Sequence, residues 1–170
     1  MYSKKNLVFL GMMGSGKSSI GFLISKKLNL QFIDIDNMIE EKAGLKISNI
    51  FKDKGESYFR NLEETITLKV LKKSNIVISL GGGGFINEKI RNEVLNNNFS
   101  FWLDWDSEIL LQRIKNSEKR PIALNSSDQE IANLIKKRSK IYSKAEFKIN
   151  CNKLTKNEIV KKITKIYELN

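Results

Sequence analysis

The chain reads as a three-layer α/β protein, a five-stranded parallel sheet with helices on both faces, and three observations predict it. Five short apolar runs, "NLVFLG", "LQFIDI", "NIVISL", "SFWLDW" and "FKINC", recur along the chain as strands. Stretches of helical period separate them. No repeat, low-complexity tract or linker divides the 170 residues, so a single domain spanning 1–170 is expected. Strands that alternate with helices pair in parallel, and such sheets take ligands beyond the carboxyl ends of their strands.

The first run leads into "GMMGSGKS", Gly11 to Ser18, and then into a helix with Ile20, Leu23, Ile24, Lys27 and Leu28 on its apolar side. This fits G-x-x-x-x-G-K-[ST] between a strand and an amphipathic helix, the setting that gives the pattern meaning. Its glycines let backbone amides wrap phosphates at a helix N-terminus. Lys17 would reach the β- and γ-phosphates, and the Ser18 hydroxyl would bind Mg²⁺. A glycine-rich turn with a chance lysine is the alternative, and the complete pattern weighs against it. The loop alone does not separate a kinase from a switch GTPase, a motor or a transporter ATPase. The guanine signature N-K-x-D is missing, since "NKLT" at 152 lacks the aspartate.

The second run ends in "FIDID". Asp34 and Asp36 are two apart, so their side chains point the same way while the strand persists. Asp36 is placed to cap the helix "NMIEEKAG", and Gly44 to end it. Capping explains Asp36 but leaves Asp34, a carboxylate suited to hold a metal-bound water or take a proton from an attacking hydroxyl. In "GESYFRNLEE", Gly55 interrupts two helical stretches and Phe59, Leu62, Ile66 and Val70 form a stripe. Arg60 has Glu56 and Glu64 at four-residue spacing, and periodicity alone favours a surface ion-pair ladder of little energetic weight.

The third run continues into "SLGGGGF". Four glycines after a buried strand are either a flexible linker or a place where a ligand touches bare backbone. The strand-end rule puts Gly81 to Gly84 at a site. After the fourth run, "RIKNSEKRPIALNSSDQE" is a polar loop between helices, with Arg113 leading in and Arg120 beside the single proline. Residues 114–127 are either a short lid carrying an arginine over a triphosphate or a solvated loop, and spacing leaves both open. In "EIANLIKKRSKIY" the apolar stripe Ile131, Leu134, Ile135, Ile141, Tyr142 is interrupted by Arg138. A guanidinium on a core-facing stripe requires an anionic partner, a protein carboxylate or one on a ligand. The last helix opens on Thr155-x-x-Glu158, a capping box.

Composition bounds the partners. The net charge of +11 favours anions, but the lysines are scattered as pairs on helical segments, and nucleic-acid binding is not expected. With no histidine, proton transfer falls to carboxylate, lysine, tyrosine, cysteine or water. The single cysteine, Cys151, excludes an internal disulfide framework. With no bilayer-length apolar run and no signal-peptide pattern, a cytoplasmic protein free of the membrane is expected.

Taken together, "GMMGSGKS", the D-x-D of Asp34 and Asp36, "GESYFR" with FRxxE, "GGG", the "RP" of the lid and R-x-x-x-Y-x-x-A from Arg138 to Ala145 resemble the shikimate kinases over nearly the whole chain. The resemblance implies the P-loop NTPase fold of nucleoside-monophosphate-kinase type, with a short lid, and a monomer. The implied reaction moves the γ-phosphoryl group of ATP, with Mg²⁺, to the 3-hydroxyl of shikimate, on the route to chorismate and aromatic amino acids. By the same resemblance Lys17, Asp34 and Arg120 are catalytic, and Ser18 and Asp34 hold the metal. Gly14, Ser15, Gly16, Lys17, Ser18, Ser19, Arg113 and Arg120 bind the nucleotide. Asp36, Arg60, Gly82, Gly83 and Arg138 hold shikimate, the two arginines gripping its carboxylate. One region departs: the family's D-T-x-x-x-x-P loop reads "NCNKLT" here, with no proline to pack on adenine. A gluconate kinase, whose substrate is also a polyhydroxy carboxylate, and a nucleic-acid-binding P-loop protein are the alternatives.

Overall fold

A computed structural model describes residues 5–116 and 126–170. Arg120 and most of the expected lid lie outside the described residues. The five strands form where predicted: β1 Leu7–Leu10, β2 Gln31–Asp34, β3 Ile76–Ser79, β4 Phe99–Asp104 and β5 Phe147–Asn150. They make one sheet in the order β2-β3-β1-β4-β5, and each neighbouring pair is parallel. The chain steps from β1 to one side, returns through β3, then crosses to β4. The C-terminal ends of β1 and β3 therefore flank the crevice where ligands bind such sheets.

The sheet is buried on both faces because its strands are apolar at successive positions. Val8, Leu10, Ile76, Ile78 and Trp102 face one apolar cluster, while Leu7, Phe9, Val77, Phe101 and Leu103 face the other. This is the two-residue alternation of a strand serving two cores. Helices α2 Ile35–Ala43, α3 Ile47–Leu71, α4 Glu88–Asn97, α5 Ser107–Lys115 and α6 Asp128–Tyr142 cover the first. Helices α1 Lys17–Leu28 and α7 Lys156–Leu169 cover the second. At the opposite end of the sheet, buried Asn6 donates to the carbonyls of Leu71 and Lys73 and to Asn98 Oδ1, and accepts from the Ile76 amide. That end is closed by protein–protein hydrogen bonds.

Three local expectations need correction. The apolar side of α1 is Ile20, Gly21, Ile24 and Ser25, whereas Leu23 is exposed and Lys27 with it. Gly21 sets this rotation: a Cβ there would stand 2.7 Å from the Phe32 ring, so the glycine face is the one that can approach the sheet. The cap of α2 is Asp34, whose Oδ1 accepts the Asn37 amide at 3.2 Å; Asp36 lies in the first helical turn. The strand ends at Asp34, two residues short of Asp36, so the two aspartates share no strand face. Glu64 does not pair with Arg60, because it turns to Lys89 and Asn87, and Glu63 takes its place. The kink at Gly55 (φ 81°), the left-handed end of α2 at Gly44 (φ 64°) and the Thr155–Glu158 capping box are as predicted.

Candidate active site

Gly11 to Ser18 form a turn between β1 and α1 in which Gly11, Gly14 and Gly16 have φ of 142°, 79° and 89°. A side chain at these angles is strained, so the glycines are a backbone requirement. Gly16 caps α1, and the amides of the first turn face outward as a ready anion site. Lys17 is buried, and its ammonium donates to the carbonyls of Gly11 and Met12, each at 3.0 Å, which holds it across the loop. Ser15 Oγ is buried with no hydrogen-bond partner among the described residues.

Ser18 Oγ donates to Asp34 Oδ2 at 2.5 Å and lies 3.4 Å from Ser79 Oγ. Three hard oxygen donors thus converge from α1, the end of β2 and the end of β3. Among the described residues no group of three or more His, Cys, Asp or Glu gathers. A cation here would be held by one carboxylate, hydroxyls, water and phosphate oxygens, which is how Mg²⁺ is commonly bound. The donor set fits.

The glycine turn after β3 works differently. Gly81 to Gly84 have no positive φ. Their need is room. A Cβ on Gly81 would stand 2.6 Å from Asp36 Oδ1 and 2.7 Å from Glu63 Oε1, and one on Gly83 would overlap the Arg60 guanidinium. Beside Gly82 the same atom would meet the Met13 amide at 3.4 Å and Arg138 Nη1 at 3.6 Å. Asp36, Arg60, Glu63 and Arg138 therefore all press on this bare backbone, and the turn abuts the phosphate loop.

The charges there are unevenly satisfied. Arg60 is paired, to Glu63 at 2.7 Å and to Glu56 at 3.2 Å. Burial opposes its charge, but the neighbouring carboxylates of Glu63 and Glu56 win and hold its pKa above the ordinary value. Glu63 is itself buried, and its Oε1 has no hydrogen-bond partner among the described residues. Arg138 is 8% exposed and donates to the Gly82 carbonyl at 3.3 Å and weakly to Met12 Sδ. Among the described residues no carboxylate pairs with it. A buried guanidinium held by one carbonyl is poised for an outside anion. One turn on, the Tyr142 hydroxyl donates to the same carbonyl, and burial pushes its pKa up to about 12.

The predicted residues fall into two adjoining groups: Gly14 to Ser19 with Asp34 and Arg113, and Asp36, Arg60, Gly82, Gly83 with Arg138. Arg113 reaches the phosphate loop, donating to the Gly14 carbonyl at 3.4 Å. Sequence reading missed Glu63, Ser79 and Trp105. Glu63 had a signal, since it is the acid of FRxxE and lies three residues after Arg60, a helical neighbour. Ser79 and Trp105 had none, because only strand order brings them to the loop. At "NCNKLT" the turn is built from Asn152, whose side chain accepts the Asp106 amide and donates to the Asp106 carboxylate, with Lys153 at φ 63°.

Comparison with known proteins gives the family and the fold. A family model described as shikimate kinase matches residues 13–168. A shikimate kinase of Sulfurihydrogenibium sp. (strain YO3AOP1) is 42% identical over 163 residues, covering 95% of this chain and 98% of that protein. The solved shikimate kinase of Acinetobacter baumannii in complex with shikimate superposes with a TM-score of 0.91 at 28% identity, over 98% of this chain and 94% of that one. The shikimate kinase of Aquifex aeolicus superposes at 0.86 with 40% identity, over 96% of both.

Proposed function

This chain belongs to the shikimate kinase family, and from that premise we propose how its residues divide the work. The reaction transfers the γ-phosphoryl group of ATP to the 3-hydroxyl of shikimate, giving 3-phosphoshikimate and ADP. In it the hydroxyl oxygen bonds to the γ-phosphorus as the bond to the β,γ-bridging oxygen breaks, and the hydroxyl proton leaves. Catalysis of such a transfer is mainly positioning and neutralisation of charge.

The nucleotide phosphates lie on the amides of Gly14 to Ser19, where Lys17 spreads charge off the transferring group. Ser18 and Asp34 would hold Mg²⁺, which would neutralise phosphate charge when bound. Asp34 accepts the proton of the 3-hydroxyl; its carboxylate stands between Ser18 of the phosphate loop and the first turn of α2, which carries Asp36. Arg60 and Arg138 grip the shikimate carboxylate, Asp36 accepts from its hydroxyls, and Gly82 and Gly83 bring bare backbone against the ring. Arg120, outside the described residues, would neutralise charge on the transferring group, and Arg113 faces the base.

The observation that carries this assignment is Arg138, a buried cation without a carboxylate partner among the described residues, at a turn that touches the phosphate loop. In this reading the protein is a monomer and a single domain with the expected lid at 114–127, most of which lies outside the described residues. The single cysteine is buried and unpaired, as suits a cytoplasmic protein. Among the described residues no helix is long and apolar enough to cross a membrane.

The test is ADP release from Mg-ATP with shikimate, gluconate, nucleoside monophosphates or single-stranded DNA added separately. Release is expected with shikimate alone. Release with gluconate at a comparable rate would leave the carboxylate clamp standing and refute the assignment of Asp36, Gly82 and Gly83 to the shikimate ring and its hydroxyls.

A further inference from the structure

Trp105 has no part in the roles above, yet it touches both halves of the nucleotide site. It follows β4 directly and packs against both apolar clusters, which fixes its ring. Its Nε1–H donates to the Ser15 carbonyl at 2.9 Å. Its ring carries the Arg113 guanidinium, with Cζ 3.8 Å from the ring centroid, while Arg113 donates to the neighbouring Gly14 carbonyl. Two successive carbonyls of the phosphate loop are thus held by one stacked pair.

In a trans peptide the C=O and N–H point in opposite directions, and the chain has no cis peptide among its described residues. Holding the Ser15 carbonyl therefore fixes where the Gly16 N–H points. Gly16 has the freedom to turn otherwise, and no atom lies within 4 Å of the place a Cβ would occupy. Arg113 gains too. A guanidinium is flat and has two faces, and the indole covers one in a favourable cation–π contact. An arginine already held in place loses less freedom when a ligand arrives.

We propose that Trp105 is a positioning residue for the nucleotide: its N–H pre-aims the Gly16 amide at the phosphates, and its ring holds Arg113 flat for the base. This rests on the nucleotide assignment of the previous subsection. Two variants separate the halves of the device. Trp105→Phe keeps an aromatic ring and removes the N–H; Trp105→Leu removes both.

Calorimetric titration with ADP, inorganic pyrophosphate and shikimate, together with melting temperature and steady-state KM values, tests it. Trp105→Phe is expected to weaken ADP and pyrophosphate by the same factor, about three- to tenfold, the worth of one ordinary hydrogen bond. Trp105→Leu is expected to weaken ADP further than pyrophosphate, since only ADP carries a base. Shikimate affinity stays within about twofold in both, which a general loss of structure would not allow. ADP and pyrophosphate binding within about twofold of the unaltered protein in both variants would overturn the proposal. So would a parallel fall in ADP and shikimate affinity. If the unaltered protein turned over shikimate normally in either of those cases, the function would stand and the role of Trp105 alone would fall.

Discussion

The phosphate loop and the glycine turn are both glycine-rich, both follow a central strand, and touch each other, yet they use glycine for opposite reasons. In the loop Gly11, Gly14 and Gly16 adopt angles that other residues resist, and around Gly16 there is open space. In the turn the angles are ordinary and the space is gone, taken by Asp36, Glu63, Arg60 and Arg138. A site for phosphate needs converging amides, which is a matter of backbone path. A site for a small carboxylic acid needs charged side chains close to a wall, which is a matter of volume.

The sharpest way to break the comparison is to empty each site of its cation. Lys17→Ala should leave a folded protein that lacks turnover, with a loss of at least about a hundredfold, the usual cost of removing a preorganised charge-stabilising donor. Near-normal turnover in that variant would show that the loop does not serve phosphoryl transfer.

Arg138→Leu should act only on the other side. It continues the stripe of Ile131, Ile135 and Tyr142, so melting temperature should hold or rise. Shikimate binding should weaken by about 2–5 kcal/mol, the range for losing one partner of a buried charge pair. ADP affinity measured without shikimate should not move. Unchanged shikimate binding with a large fall in melting temperature would make Arg138 a structural group.

A smaller effect separates the two uses of glycine directly. Gly16→Ala and Gly81→Ala should each destabilise, by about 1–2 kcal/mol for strain at positive φ and about 1–3 kcal/mol for overpacking. Asparagine tolerates left-handed angles, so Gly16→Asn should recover part of the loss in denaturant midpoint. Gly81→Asn should be worse than Gly81→Ala, because its added atoms enter occupied space. Equal responses at the two positions would dissolve the distinction.

The smallest expected effect lies in alkali. Burial pushes the Cys151 thiol up to about 12, with Asp104 adding to the shift, and burial does the same to Tyr142. Both groups are neutral in the native state while the unfolded chain ionises at its ordinary values, so the unfolded state binds fewer protons as pH rises. Their contribution is complete below about pH 8.5 and is lost on the way to about 12. Denaturant midpoints at pH 8 and 9 should fall less for Cys151→Ala than for the unaltered chain. An identical fall would show that the thiol ionises equally in both states.

Some of this was written into short stretches of sequence. The strands were readable because a strand buried on both faces is a near-continuous apolar run, and "NLVFL" and "NIVIS" are such runs. The phosphate loop was readable because all its groups are backbone and side chain of eight consecutive residues. Arg138 was readable because helical period is rigid and a charge breaking an apolar stripe stands out. Arg60 was not, since a ladder of glutamates at helical spacing looks the same on a surface as over a buried turn. Only the family resemblance gave it a ligand.

What the sequence determined by itself was therefore whatever one helical or strand period, or one contiguous loop, can express: five strands, their helices, the phosphate loop and the inward charge of Arg138. The tertiary structure decided which side of α1 faces the sheet, because Gly21 permits an approach to Phe32 that Leu23 does not. It decided that Asp34, not Asp36, caps α2, because the pairing of β2 with β3 ends at Asp34 and Ser79. It also decided that Ser18, Asp34 and Ser79 meet, and that Trp105 lies under Arg113. Those contacts depend on the strand order β2-β3-β1-β4-β5, and strand order comes from how whole faces pack, which no local pattern of residues encodes.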